Sequence, residues 1–323
     1  MTFIASVVAK KGVAIIADSL VTSQSPILHY KNFLEYIDAQ PNNDQGEKVI
    51  NPDSIRELFS SEPIFTKDFE EKLFSINEFV AVTTSGTAYI NDKSISDIIE
   101  AFKLYQQDIN DMAVPISDKI DQFVAFLNIN IREHIAKYNY IGYCVFIITY
   151  YEKHTHLTHI YKALIQEADA ETLQIADYSW IGVNKELDWV NVVCEGQNRI
   201  SEKILYGAGR DLYNMFSGFV DHIIAKLNLG PDQVPENFID QLKQDEYFNE
   251  IFYGDLELLN LNNLSLQQAV DLASLLMRLE VDFQKYTKNI PTVGGVIKLA
   301  VIDEDGFRFI SGNTVVVPNH INH

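Results

Sequence analysis

Thr2 and Asp18 are the first residues in this chain whose types and spacing could do chemistry. A threonine hydroxyl is a poor nucleophile until a nearby base takes its proton. A threonine that begins a chain can use its own α-amine, whose unperturbed pKa lies close to ~8. Met1 precedes this small residue, so ordinary methionine removal would make Thr2 residue one. Between the two lie the runs Phe3–Ala9 and Val13–Ala17, short, apolar and rich in β-branched residues, with Gly12 in their connection. That pattern reads as a hairpin with arms of about equal length. Its open end would hold a nucleophile-type side chain beside a carboxylate.

The stretch Thr2-Phe-Ile-Ala-Ser-Val-Val-Ala-Lys-Lys-Gly-Val-Ala-Ile-Ile-Ala-Asp18-Ser19-Leu-Val-Thr22 resembles the opening of proteasome β-type subunits, and so a bacterial proteasome-related protein. The resemblance covers residues 2–22, 72–92, 205–212 and 291–303. It implies an N-terminal-nucleophile (Ntn) hydrolase whose catalytic set is Thr2, Asp18, Lys72 and Gly86. Gly86 lies fourteen positions after Lys72 in a Thr-Ser-Gly segment, as the family's oxyanion-hole glycine follows its lysine. By the same resemblance Lys72 would take the Thr2 proton or supply positive charge, Asp18 would hold Lys72, and the Gly86 N–H would donate to the oxyanion. At a sheet end, Lys72 is expected to contribute little to the core. Tyr206-Gly207-Ala208-Gly209-Arg210 is similar to the family's Gly-Ser-Gly segment, with Ala208 for the serine. In the register of Thr292-Val293-Gly294-Gly295, Ile290 and Val293 replace an aspartate and a serine, and Leu20 replaces a basic residue.

Composition narrows the classes. The chain has 323 residues, 47% of them hydrophobic, enough for one large core without disulfides. A net charge of −20 argues against nucleic acid and anionic membrane surfaces as partners. No apolar run reaches the ~20 residues of a membrane span, and Lys10-Lys11 interrupts what could be a signal peptide. Cys144 and Cys194, both within apolar runs, read as small buried hydrophobes in a reducing compartment. These points indicate a cytoplasmic protein. Within the cluster His154, His156 and His159, the first two would share a strand face, a spacing that can bind a metal, but no Cys or clustered carboxylate joins them. They read as exposed hairpin histidines, and neither metal nor cofactor is expected.

The elements that must position Thr2, Asp18, Lys72 and Gly86 follow from periodicity. Strands are expected at 73–76, 79–84, 143–151, 156–164, 180–183, 189–194 and 296–302. Amphipathic helices are expected at 94–107, 117–138, 211–227 and 265–287, capped at Ser94, Ser117 and, through a Ser265/Gln268 box, Ser265. Their stripes include Tyr105, Tyr138, Leu276, Leu279 and Phe283. Residues 23–69 read as an irregular excursion with one short helix at Pro52–Phe59, and acidic 228–264 as a second insertion. The expected whole is a single Ntn-hydrolase-like domain over 1–323. Its architecture is an α/β (α+β) four-layer αββα sandwich with mostly antiparallel sheets. The resemblance implies a threonine-type peptidase that cleaves a peptide or protein substrate within a homo-oligomer. The competing expectations are a catalytically inactive Ntn-fold scaffold or binding protein, and an amidase for small amides.

Overall fold

The computed structural model describes residues 2–51, 54–55, 58–67, 69–105, 115–165, 168–169, 177–182, 191–207, 210–227, 234, 238, 241, 261, 263–287 and 291–311. Two five-stranded sheets dominate it. The first runs β14-β1-β2-β15-β16, comprising β1 (Phe3–Ala9), β2 (Gly12–Ala17), β14 (Val192–Gly196), β15 (Lys298–Asp303) and β16 (Gly306–Ser311). The second runs β13-β11-β10-β6-β5, comprising β5 (Leu73–Asn77), β6 (Val80–Gly86), β10 (Cys144–Glu152), β11 (Leu157–Ile165) and β13 (Asp177–Gly182). Every pairing in both sheets is antiparallel.

The hairpin of β1 and β2 closes with Ala9 opposite Gly12 and opens with Ile4 opposite Ala17. Each of its strand residues is buried. Successive side chains of a strand point to opposite faces, so complete burial requires cover on both. Phe3, Ala5, Val7, Ala14 and Ile16 join one apolar cluster with helix α6 (Leu266–Gln284). Ile4, Val8, Val13, Ile15 and Ala17 join another with Leu73, Ala81, Val145, Ile147 and Tyr151 of the second sheet. Within that inter-sheet layer Ser6 and Thr149 pair their hydroxyls at 3.0 Å. A third cluster packs Phe74, Val82, Phe146 and Ile148 against Ile98, Ile99 and Phe102 of α2 (Ile95–Tyr105) and Phe123, Leu127 and Ile131 of α3 (Ile116–Tyr138).

The helix ends show which capping signals act. Ser265 and Gln268 form the expected reciprocal box on α6. Ser94 accepts from the Asp97 N–H at 3.1 Å, while the Asp97 carboxylate accepts from the Ser94 N–H. Ser117 lies inside α3, where Pro115 occupies the cap position and no side chain caps. The stripe of α2 is buried from Ile95 through Phe102, and that of α6 from Ala269 through Leu276, but each departs from expectation at its C-terminal end. Tyr105 is 67% and Phe283 51% exposed, and the buried register of α6 runs through Ala269, Ala273, Leu276, Met277, Glu280 and Gln284.

Residues 23–69 are more regular than expected. β3 (Val21–Leu28) pairs with β4 (Phe59–Lys67) in a two-stranded ribbon, and α1 (Tyr30–Ala39) lies between them in sequence. Four prolines masked this pattern in the sequence; Pro26 and Pro63 are tolerated because the ribbon has only edge strands. Of the helix expected at Pro52–Phe59, Ser54 and Ile55 are helical. The remaining helices are α4 (Arg199–Tyr206) and α5 (Arg210–Lys226). β16 was not expected at all, and most of the 228–264 insertion lies outside the described residues.

Candidate active site

Thr2 precedes β1 by one residue and Asp18 follows β2 by one, so the hairpin register sets them side by side. The Phe3 N–H donates to Asp18 Oδ1 at 3.1 Å, and the Asp18 N–H donates back to the Phe3 carbonyl at 3.2 Å. Lys72 comes from the second sheet. Its carbonyl accepts from the Thr84 N–H at 3.0 Å, which anchors it beside β6. Its ammonium donates to Asp18 Oδ1 at 3.0 Å and to the Leu20 carbonyl at 2.6 Å. Asp18 Oδ2 accepts from the Gly294 N–H at 3.0 Å, so the carboxylate receives an ammonium and two backbone donors.

These groups are deeply placed: Thr2, Asp18 and Lys72 are 3%, 1% and 6% exposed. Burial pushes the Lys72 ammonium below the ordinary lysine range, against the opposing pull of Asp18. Burial also raises the Asp18 carboxyl, opposed by the Lys72 charge and by the Gly294 and Phe3 N–H groups. A lysine displaced in that direction surrenders its proton more readily and so becomes a better base near neutral pH. The expectation that Lys72 adds little to the fold is therefore corrected: it is the buried partner of a buried carboxylate.

Gly86 ends β6 with φ +110°, and a Cβ there would stand 2.2 Å from the Tyr143 carbonyl oxygen. Glycine is thus required where β6 meets β10. Thr2, Lys72 and Gly86 line one cleft, with Thr22, Ser85 and Glu70 on its walls. All four expected site residues therefore converge: three line the cleft, and Asp18 holds the lysine from behind.

Other parts of this site were not foreseen. Gly196, at the end of β14 with φ +90°, packs so closely on Thr2 that a Cβ would lie 1.9 Å from the Thr2 carbonyl oxygen. The next residue, Gln197, donates its backbone N–H to that oxygen at 2.6 Å. The segment beside Thr2 is thus Gly196-Gln197; Gly207 instead caps the C-terminus of α4, while Ala208 and Gly209 lie outside the described residues. The Gln197 side chain meets the Thr292 hydroxyl. Thr292 and Val293 in turn donate their backbone N–H groups to Oε1 of Gln284, and Gln284 Nε2 returns a bond to the Glu280 carbonyl at 2.8 Å. Gln284 therefore holds the loop that presents Gly294 to Asp18. Glu280, one turn earlier, accepts the Ile200 and Ser201 N–H groups at 2.9 and 2.7 Å, fixing the first turn of α4. The available signal was a polar pair at i, i+4 continuing the buried register of α6.

The accessory positions diverge. Val293 is 2% exposed and packs in the apolar cluster beneath α6, so it offers the site no hydroxyl. Ile290 and Met1 lie outside the described residues. His154 and His156 lie in the turn between β10 and β11, His156 with φ +58° and its Nδ1 2.9 Å from the Tyr151 hydroxyl. His159 stacks on Tyr150, and among the described residues no group of His, Cys, Asp or Glu could hold a metal ion. Burial lifts both cysteine thiols to about 12, which removes them as nucleophiles at neutral pH. No helix among the described residues is long and apolar enough to cross a membrane. No protein-family model matches the chain, and no curated protein matches it in sequence.

Proposed function

We propose that this protein is a threonine-type Ntn hydrolase, a proteasome-like peptidase that cleaves peptide or amide bonds, with its two sheets and covering helices forming a four-layer αββα sandwich. The observation that carries this reading is the buried Lys72–Asp18 pair at 3.0 Å behind a cleft that Thr2 and Gly86 also line. Removing two charges from water is costly, and burying them against a cleft that holds a threonine is unusual for purely structural ends.

In the proposed reaction the Thr2 hydroxyl attacks the scissile carbonyl carbon as its proton passes to the Thr2 α-amine or to neutral Lys72. The Gly86 N–H donates to the oxyanion. Collapse of the tetrahedral intermediate breaks the C–N bond, the leaving amine takes the proton, and an ester to Thr2 remains. Water attacks that ester, releases the acid and restores the hydroxyl. Asp18 keeps the lysine in place throughout. The test is a peptide carrying a threonine-directed electrophile: acylation mapped to Thr2, on a chain lacking Met1, is the expected result.

The second reading is a catalytically inactive scaffold or binding protein on the same fold. Val293, buried among apolar side chains where the resemblance has a serine, favours it. An unreactive Thr2 in folded protein would select this reading.

A further inference from the structure

A short hairpin beside the cleft is tied to α3 by side chains. Its strands are β7 (Tyr89–Ile90) and β8 (Lys93–Ser94), with Ile90 opposite Lys93. The two residues between them, Asn91 and Asp92, both take left-handed φ angles, +53° and +59°. A two-residue turn of this kind favours glycine at its second position, so Asp92 there leans on outside support. Helix α3 supplies it. Asn91 Nδ2 donates to Glu133 Oε2, and Lys137 and the Tyr138 hydroxyl both donate to the Asp92 carboxylate. The Asn91 N–H donates to His134 Nδ1 at 2.8 Å. The same hairpin is flanked by residues of the cleft wall: Thr87, Ala88 and Ile95 line the cleft, and the Ile95 N–H donates to the Ala88 carbonyl at 3.1 Å.

Of these ties, the histidine is the one whose side chain changes charge between about pH 5 and 8. The Asn91 N–H needs a lone pair on Nδ1, so the tie requires the neutral imidazole with its proton on Nε2. Once His134 is protonated, Nδ1 is a donor facing a donor and the bond is lost. Burial pushes His134 below the ordinary histidine value of ~6.5. The Tyr140 carbonyl and Asp92 favour the imidazolium, and Lys137 opposes it. Glu133 and Lys93 complete the nearby charges, one bonded to Asn91 and the other to Asn130 Oδ1 at 3.2 Å. The Lys137 bond holds Asp92 below the usual carboxylate range and the Asp92 bond holds Lys137 above the lysine range, so that pair stays charged throughout. A histidine lowered by folding stabilises the tied form above about 6.5 and loses that contribution as pH falls below it. Ile90, fully buried among side chains of α2 and α3, keeps the hairpin seated when the turn lets go.

We propose that His134 is a pH-sensitive latch: protonating it releases the β7–β8 turn from α3 and shifts the cleft wall formed by Thr87, Ala88 and Ile95. As regulation of cleavage this rests on the hydrolase reading; the latch itself does not, so the two are tested apart. Hydrogen exchange followed by mass spectrometry, corrected for the intrinsic effect of pH, gives protection factors at about pH 7.5 and 5.5. In wild type the protection of residues 87–95 falls about tenfold at the lower pH, the factor that one hydrogen bond supplies, while that of α3 holds. His134→Asn offers an oxygen that accepts the Asn91 N–H without titrating, and it keeps its protection at both pH values. His134→Phe offers no acceptor and is poorly protected at both. Unchanged protection in wild type, or a fall in His134→Asn as large as in wild type, overturns the latch. Labelling with the electrophile peptide then separates the claims. A loss of Thr2 acylation at the lower pH that is smaller in His134→Asn than in wild type supports control of the cleft. An equal loss in both removes that control and keeps the hydrolase. Folded protein that shows the latch but no acylation removes the hydrolase and keeps the latch.

Discussion

At the scale of single residues, the site depends on one carboxylate with three donors. Asp18→Ala would leave the Lys72 ammonium buried without its counter-charge and two backbone N–H groups without an acceptor. Breaking a buried pair in this way costs about 3–5 kcal/mol. A urea midpoint that drops with unchanged slope is the expected signature, and a loss below about 1 kcal/mol would show that the pair is solvated. Lys72→Met should cost less, because a buried Asp18 can take up a proton while the methionine retains the apolar stem. It should still abolish acylation of Thr2. The pH dependence follows from the direction of the Lys72 shift. Burial lowers its pKa, and the neutral amine that can accept a proton exists above that pKa. Acylation should therefore rise with pH, with an inflection below the ordinary lysine value of about 10.4, and Lys72→Arg should lose that inflection. A pH-independent rate would remove Lys72 as the base.

At the scale of elements, two contacts hold Thr2, the proposed nucleophile, from the side of the first sheet. Gly196→Ala would drive a Cβ into the Thr2 carbonyl at a backbone angle of φ +90°, so β14 or Thr2 must shift. A strained non-glycine residue alone costs about 1–3 kcal/mol, and the clash adds to it. Acylation should fall by more than the fraction unfolded, and wild-type rates in this variant would show that Thr2 tolerates the displacement. Gln284→Leu strands the Thr292 and Val293 N–H groups, at about 1–3 kcal/mol for a buried donor. Differential scanning calorimetry would read that as a lowered Tm, and an unchanged Tm would mean the loop stands without Gln284.

The hairpin was legible because its apolar runs and Gly12 are local signals. Lys72 and Gly86 were legible because their separation is fixed along one hairpin, β5 to β6. Gly196, Gln197 and Gln284 were not, because their roles arise from β14 pairing with β1 and from a one-residue shift of the buried register in the last two turns of α6. Helical periodicity placed the stripe of α6 on Leu279 and Phe283; packing chose Glu280 and Gln284, whose polar ends find backbone partners inside. The β3–β4 ribbon escaped for a related reason, since proline discourages strands except at edges.

At the scale of the whole molecule, the two sheets meet through one apolar layer, and helices cover the far faces through two others. The site lies where the ends of both sheets come together, with Thr2 and Asp18 from the first and Lys72 and Gly86 from the second. Whatever loosens the inter-sheet layer should therefore separate Lys72 from Asp18. The covering helices also expose large apolar side chains, among them Leu104 at 82% and Ile129 at 50%. Together with the resemblance, they lead us to predict a homo-oligomer. Multi-angle light scattering should give a multiple of the chain mass at micromolar concentration; a strict monomer would refute it.

The central claim is that Thr2 is a nucleophile served by Lys72. It is tested most directly by incubating native protein with a peptide bearing a threonine-directed electrophile, then measuring intact mass and mapping the adduct. One adduct per chain is expected, on Thr2 with a free α-amine, and none in Lys72→Met. Folded wild-type protein that takes up no label, or that is labelled equally well after Lys72→Met, would contradict it.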